Sequence, residues 1–140
     1  MDRKYPRLVI RRDKLRNNFT QIITRCAASG VSVAGVVKGA SGLPEIARLY
    51  KECGAEQLAT SRLEQIERWR GAGIEGPFML LRVPGMSELA ELPRLADYSL
   101  HSDATTLDAL NSVCAEQGVT HRVIVMADLG DLREGFWDKT

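Results

Sequence analysis

The chain is poor in the residues that mark several large functional classes. It has three cysteines, Cys26, Cys53 and Cys114, far apart and with no CxxC pair. An odd, dispersed set is neither a disulfide framework nor a zinc site, and fits reduced thiols. There are only two histidines, separated in sequence, and the carboxylates are scattered, so no metal-ligand cluster is expected. No charge of one sign dominates: 19 Lys and Arg against 18 Asp and Glu give +1. That balance offers no electrostatic case for nucleic acid or a membrane surface. No apolar run could span a bilayer and no signal-peptide pattern opens the chain, so a cytoplasmic location is expected. Neither a GxGxxG after the first long strand nor a P-loop occurs, which removes support for nucleotide folds.

What is present is the composition of a globular domain, 44% hydrophobic and 26% charged over 140 residues. A basic cluster near the start (Arg3, Lys4, Arg7, Arg11, Arg12, Lys14, Arg16) reads as a solvated face. Short apolar runs alternate with amphipathic stretches. Pro6 to Arg11 reads as a leading strand. Asp13 is a candidate N-cap for a helix with Leu15, Phe19, Ile22, Ile23 and Cys26 on one stripe. Val31 to Val37 is continuously apolar, as in a buried parallel strand. Pro44 opens a helix that ends at Gly54. Gln57 to Thr60 is a weak strand. Ser61 and Glu64 have the spacing of a capping box for a helix carrying Leu63, Ile66 and Trp69. Phe78 to Val83 is a strand, Met86 to Leu95 a helix, and Tyr98 to Leu100 a strand. Ser102 or Asp103 caps a helix closed by Gly118, and Arg122 to Met126 is the last strand.

Strand starts recur every 20 to 25 residues or so, the rhythm of βα repeats with a parallel sheet. The rhythm alone permits a doubly wound sheet or a (β/α)8 barrel. In either, side chains at the C-terminal strand ends line the site. Those positions hold Lys38, Ser61 with Arg62, Arg82, His101, and Asp128 through Arg133. This cation-rich rim suits an anionic ligand. Lys38 follows Val36-Val37 directly, where desolvation and nearby cations favour a neutral amine able to form a Schiff base. On pattern alone, a lysine leaving the strand for solvent is the favoured reading. His101 is a candidate acid/base or cofactor contact, and Arg82 and Arg62 are candidate anion clamps. Each also has a plain structural reading. The Asp128–Gly135 segment puts two glycines, three carboxylates and an arginine just after a strand, more than a plain loop needs.

These residues resemble a known family. VVKG at 36–39 is similar to the cofactor-lysine segment of the alanine racemase N-terminal domain family. LATSRLEQIE at 58–67, FMLLRVPG at 78–85, YSLHSD at 98–103 and VIVMADLGDLREG at 123–135 resemble its ornithine and alanine/ornithine racemase branch. The resemblance implies an α/β fold of the (β/α)8 TIM-barrel type, with residues 1–140 an incomplete N-terminal part of about five βα units. It implies pyridoxal 5'-phosphate as cofactor and an amino-acid racemase acting on a small amino-acid substrate. Lys38 matches the lysine that carries the cofactor and abstracts the Cα proton. Arg133 matches the arginine near the cofactor oxygen and the substrate carboxylate, with His101 a further cofactor contact and Arg82 a further substrate contact. The family's opposite-face tyrosine has no counterpart here. Gly39-Ala40-Ser41-Gly42 replaces the usual Asn and Tyr after the lysine, and Met126 replaces a lysine before the strand-five glycine. The isolated chain is therefore expected to be inactive and to form a homo-oligomer through open barrel edges. The alternatives are a pyridoxal-phosphate homeostasis protein, although Ala59-Thr60-Ser61-Arg62 stands where those carry Phe-Gly-Glu-Asn, or a non-catalytic remnant.

Overall fold

The computed structural model describes residues 8–137. Its elements run α1 (Arg12–Ala27), β1 (Ala34–Val36), α2 (Pro44–Glu52), β2 (Gln57–Thr60), α3 (Leu63–Gly71), β3 (Phe78–Leu80), α4 (Leu92–Leu95), β4 (Tyr98–His101), α5 (Ala104–Gln117) and β5 (Arg122–Val125). Short 3-10 turns occupy Lys38–Ala40 and Met86–Glu88. All five strands lie in one parallel sheet in the order β1-β2-β3-β4-β5. The order never reverses, so the sheet lacks the switch point of a doubly wound fold. Successive strands added on one side give the winding of a barrel wall. No helix among the described residues is long and apolar enough to cross a membrane.

Helices cover one face of the sheet. Leu49 from α2, Ile66 and Trp69 from α3, and Leu92 from α4 are fully buried, as are Leu58, Phe78 and Leu80 from the strands. Trp69 tilts against Phe78 with ring centres 5.6 Å apart, and Phe19 of α1 stacks on Tyr50 at 4.0 Å. Aromatic pairs in these geometries add to what area burial contributes. Gly35 lets α2 approach β1 closely: a Cβ there would stand 2.8 Å from the Tyr50 ring. The sheet's other face and its β5 edge are open. Val36, Val123, Ile124 and Val125 are all exposed.

Several boundaries differ from the sequence reading. Of the expected leading strand, Pro6 and Arg7 lie outside the described residues. Leu8 to Arg11 form no strand, and Leu8 and Val9 are exposed with no sheet partner. β1 is limited to Ala34–Val36 because its only ladder partners are Gln57, Leu58 and Ala59. β3 stops at Leu80, the last residue paired with β4. The Met86–Leu95 helix is broken into a 3-10 turn and the short α4. Pro93 sits in α4's first turn, the position that needs no N–H. α1 starts two residues earlier than expected, after Arg11, and Asp13 lies in its first turn, paired with Arg11. Arg62, not Ser61, precedes α3, and no side chain caps it. Asp103 does cap α5: its carboxylate accepts from the Thr106 N–H at 2.7 Å, and Gly118, at φ +65°, closes that helix.

Candidate active site

Lys38 stands directly after Val37, which is buried, and begins the 3-10 turn beyond β1. That turn folds back on the strand. The N–H groups of Ala40 and Gly42 both donate to the Val37 carbonyl, at 3.0 and 3.1 Å. Two side chains of α3 pin it from outside. Trp69 Nε1 donates to the Gly42 carbonyl at 2.8 Å, and Arg68 donates to the Ser41 carbonyl at 3.2 Å. Gly42 has φ +65°, and a Cβ there would press on the Gln65 side chain at 2.6 Å. The Lys38–Gly42 turn is thus closed to any larger residue at its last position. Gln65 is itself buried and accepts from the Thr60 hydroxyl at the end of β2.

A second segment reaches Lys38 from β5. A cleft of about 520 Å³ is lined by Lys38, Leu81, Leu100, Met126, Ala127, Leu129, Asp131, Arg133 and Glu134. The structure therefore brings together Lys38 and Arg133, which lie 95 residues apart in the chain (133 − 38). The loop bearing Arg133 is closed at its base: the Phe136 N–H donates to the Met126 carbonyl at 2.8 Å, and the Asp128 N–H to the Phe136 carbonyl at 3.0 Å. Within it, Asp128 Oδ1 accepts from the N–H groups of Gly130 at 2.8 Å and Leu132 at 3.2 Å. The Gly130 amide first, then Leu132's, hold the Asp128 carboxyl below the usual carboxylate range, against some desolvation.

Lys38 also borders a second hollow, of about 740 Å³, with Ser41, Ser61, Arg62, Glu64, Gln65 and Arg68. Ser61 and Arg62 are where the sequence placed them. Arg68 was not foreseen, because it belongs to the second turn of α3 and carries no loop signal. Asp131 falls within the Asp128–Arg133 rim expected from the sequence, and Glu134 adjoins it in the same charged loop.

Two expected residues do not reach this mouth. Arg82 lies in a neighbouring hollow with Ser61, Arg62 and Glu64. Its donors are already engaged: Nε on the Ser61 carbonyl at 2.6 Å, Nη1 on the Val83 carbonyl at 3.0 Å, and Nη2 on Glu88 at 2.5 Å. These bonds tie the end of β3 to the end of β2. Burial raises the Glu88 carboxyl, but the bond from Arg82 and the Gly85 N–H outweigh it and leave the group low.

His101 is the second correction. It is fully buried, and strand alternation puts it on the face opposite Leu100, which lines the Lys38 cleft. There it meets the other histidine. Ser99 Oγ lies 2.9 Å from His101 Nε2 and 2.9 Å from His121 Nε2. A hydroxyl has one proton, so one ring accepts from Ser99 and the other donates to it. His101 Nδ1 is buried without a partner among the described residues. Burial pushes both imidazoles below 6.5. For His101, Asp103 opposes the shift. For His121, the neighbouring His101 adds to it and Asp97 opposes. Twenty residues separate these histidines in sequence, but β4 and β5 are neighbouring strands, so the pair is adjacent. Among the described residues no three metal-ligating side chains come together.

A family model described as the alanine racemase N-terminal domain matches residues 10–140. A lysine racemase from Thermotoga maritima is 38% identical over 133 residues, 95% of this chain and 38% of that protein. An ornithine racemase from Acetoanaerobium sticklandii is 34% identical over 134 residues, 96% of this chain and 37% of that protein. The chain thus spans a little over a third of the length of these relatives. Among solved structures, a D-threonine aldolase from Filomicrobium marinum superposes with TM-score 0.81 at 22% identity, covering 95% of this chain and 37% of that one. An alanine racemase from Clostridium difficile gives 0.76 at 20% identity, over 89% of this chain and 34% of that one. These structural likenesses concern the fold: the five-stranded sheet is part of a TIM-barrel wall.

Proposed function

Because this chain belongs to the alanine racemase N-terminal domain family, we propose that residues 1–140 form the first, cofactor-carrying part of a racemase acting on an amino acid with a basic side chain. Pyridoxal phosphate is the cofactor of the related racemases. The observation that carries the reading is the meeting of Lys38 and Arg133 in one cleft. The donor set suits the group. Lys38 offers an amine for an aldehyde, Arg133 a planar fork for an anionic oxygen, and Leu81, Leu100 and Met126 an apolar wall for a flat ring. When bound, the cofactor supplies an electron sink for negative charge at the substrate Cα.

The chain's own residues have separable tasks. Lys38 Nζ would hold the cofactor's aldehyde carbon and would move a proton at the substrate Cα on one face. Arg133 orients the substrate carboxylate or a cofactor oxygen through paired hydrogen bonds. Asp131 and Glu134 line the same cleft and give it negative charge suited to a distal ammonium group. Two of the matching relatives are named for lysine and ornithine, which supports that substrate class.

The test is a visible spectrum of the chain after adding pyridoxal phosphate, followed by borohydride and peptide mass spectrometry. A reduced adduct on Lys38, abolished in Lys38→Ala, is expected. An adduct confined to other lysines would sink the assignment. A chiral assay on the isolated chain is expected to show no racemisation, since no proton donor for the opposite face is assigned among its residues.

A further inference from the structure

We propose that Asp128 is the positioning residue of the β5 loop: its carboxylate sets the loop backbone so that Arg133 stands in the Lys38 cleft. This rests on the role given to Arg133 above and adds a residue to it. The argument starts from what else could hold the loop. Apolar packing does not, because Leu129 and Leu132 are 95% and 76% exposed. The base bonds through Met126, Asp128 and Phe136 fix only the two ends. Between them, Asp128 Oδ1 accepts from the Gly130 and Leu132 N–H groups, and Asp131 is a further hydrogen-bond partner of the same carboxylate.

The backbone shows what those bonds hold. Leu132 has φ +55°, a left-handed conformation that is strained for a residue with a Cβ. Its N–H is one of the two on Asp128, and Arg133 is the next residue. Gly135, at φ +131°, closes the far side, where a Cβ would run into the backbone of Ala127 and Asp128. Asp128 is only half-exposed, and its carboxylate points back at loop amides while Asp131, Arg133 and Glu134 line the cleft. One carboxylate in the loop thus orders the backbone, and its neighbours face the ligand.

The experiment labels the chain with pyridoxal phosphate and borohydride. It scores adduct on Lys38 relative to the exposed Lys14, in wild type, Asp128→Ala, Asp128→Asn, Arg133→Ala and the Asp128→Ala/Arg133→Ala double variant. Amide hydrogen exchange at Gly130 and Leu132 is measured without cofactor. Asp128→Ala should lose protection at both amides and lower Lys38 selectivity about five- to tenfold, the loss expected of one or two hydrogen bonds. Asp128→Asn keeps an acceptor oxygen and should retain most of both. The double variant should be no worse than Arg133→Ala, since a residue acting through another shows no additional effect.

Equal losses from Asp128→Ala with and without Arg133 would overturn the positioning role, as would unchanged exchange. If Arg133→Ala alone keeps wild-type selectivity, the role fails through Arg133, and the exchange data still report separately whether Asp128 orders the loop. No Lys38 preference in wild type would instead strike down the functional reading itself, and the positioning role with it.

Discussion

Ser99, His101 and His121 show how three polar side chains can gather behind a sheet by sharing one hydroxyl. Along β4, Tyr98 and Leu100 point to one side and Ser99 and His101 to the other. Hydrophobicity alone would turn Leu100 toward the helices and His101 toward the mouth. The structure does the reverse, because a histidine from the next strand completes a hydrogen-bonded trio around the Ser99 hydroxyl. That partner becomes visible only once β4 and β5 are paired. Both rings are held below 6.5, burial being the first cause. The neutral forms are therefore favoured in the folded state. Their contribution to stability is complete above the unfolded value of 6.5 and is lost as pH falls through the lower folded values. The melting temperature should accordingly drop between about pH 7 and pH 5.5, before carboxylates titrate appreciably. His121→Gln should flatten that slope. A wild-type melting curve already flat across this window would contradict the sign argued here. Lys38, by contrast, was legible because it directly follows Val36 and Val37, and a parallel strand delivers whatever comes next to the same end of the sheet, whereas Arg133 lies eight residues beyond β5 in a loop marked by its glycines and charges.

At the scale of elements, the turn after β1 is held more firmly than its sequence suggests. Gly39-Ala40-Ser41-Gly42 reads as a flexible stretch. Its order comes from α3, whose Trp69 and Arg68 both reach over to its carbonyls. Trp69 was legible as a core residue from helical spacing, but its indole N–H had no visible partner in the sequence. Trp69→Phe keeps an aromatic ring yet strands the Gly42 carbonyl. It should destabilise the chain by about 1–3 kcal/mol, the cost of an unsatisfied buried acceptor. Urea denaturation measures that loss. Amide exchange at Ala40 and Gly42 separates the hydrogen bond from ring packing, since only loss of the tether should speed it. Element types were readable because βα repetition writes itself in apolar runs and N-terminal prolines. Their lengths were not. A strand extends only as far as its neighbour offers partners, which is why β1 and β3 each shrink to three residues.

The whole molecule is a curved sheet covered by helices on one face and open on the other. β5 pairs with β4 along one side only. Its other backbone edge is free among the described residues, and all four of its residues are exposed. Val123, Ile124 and Val125 make that edge apolar as well as unpaired. An exposed apolar edge strand is a template for pairing with another chain. β1 adds Val36 on the open face, so a partner could cover apolar surface at either end of the sheet. The 140-residue chain on its own should therefore self-associate, two copies sharing the surface that a closed barrel would bury. Light scattering should give a mass that rises with concentration above that of a 15.5 kDa monomer. Val125→Lys places a charge on the most exposed residue of the edge, the device by which edge strands resist pairing. It should return the chain to a monomer without lowering its melting temperature, because Val125 is 57% exposed and contributes little to the core. A wild-type chain that stays monomeric at high concentration would show that the open edge is protected by some means other than pairing.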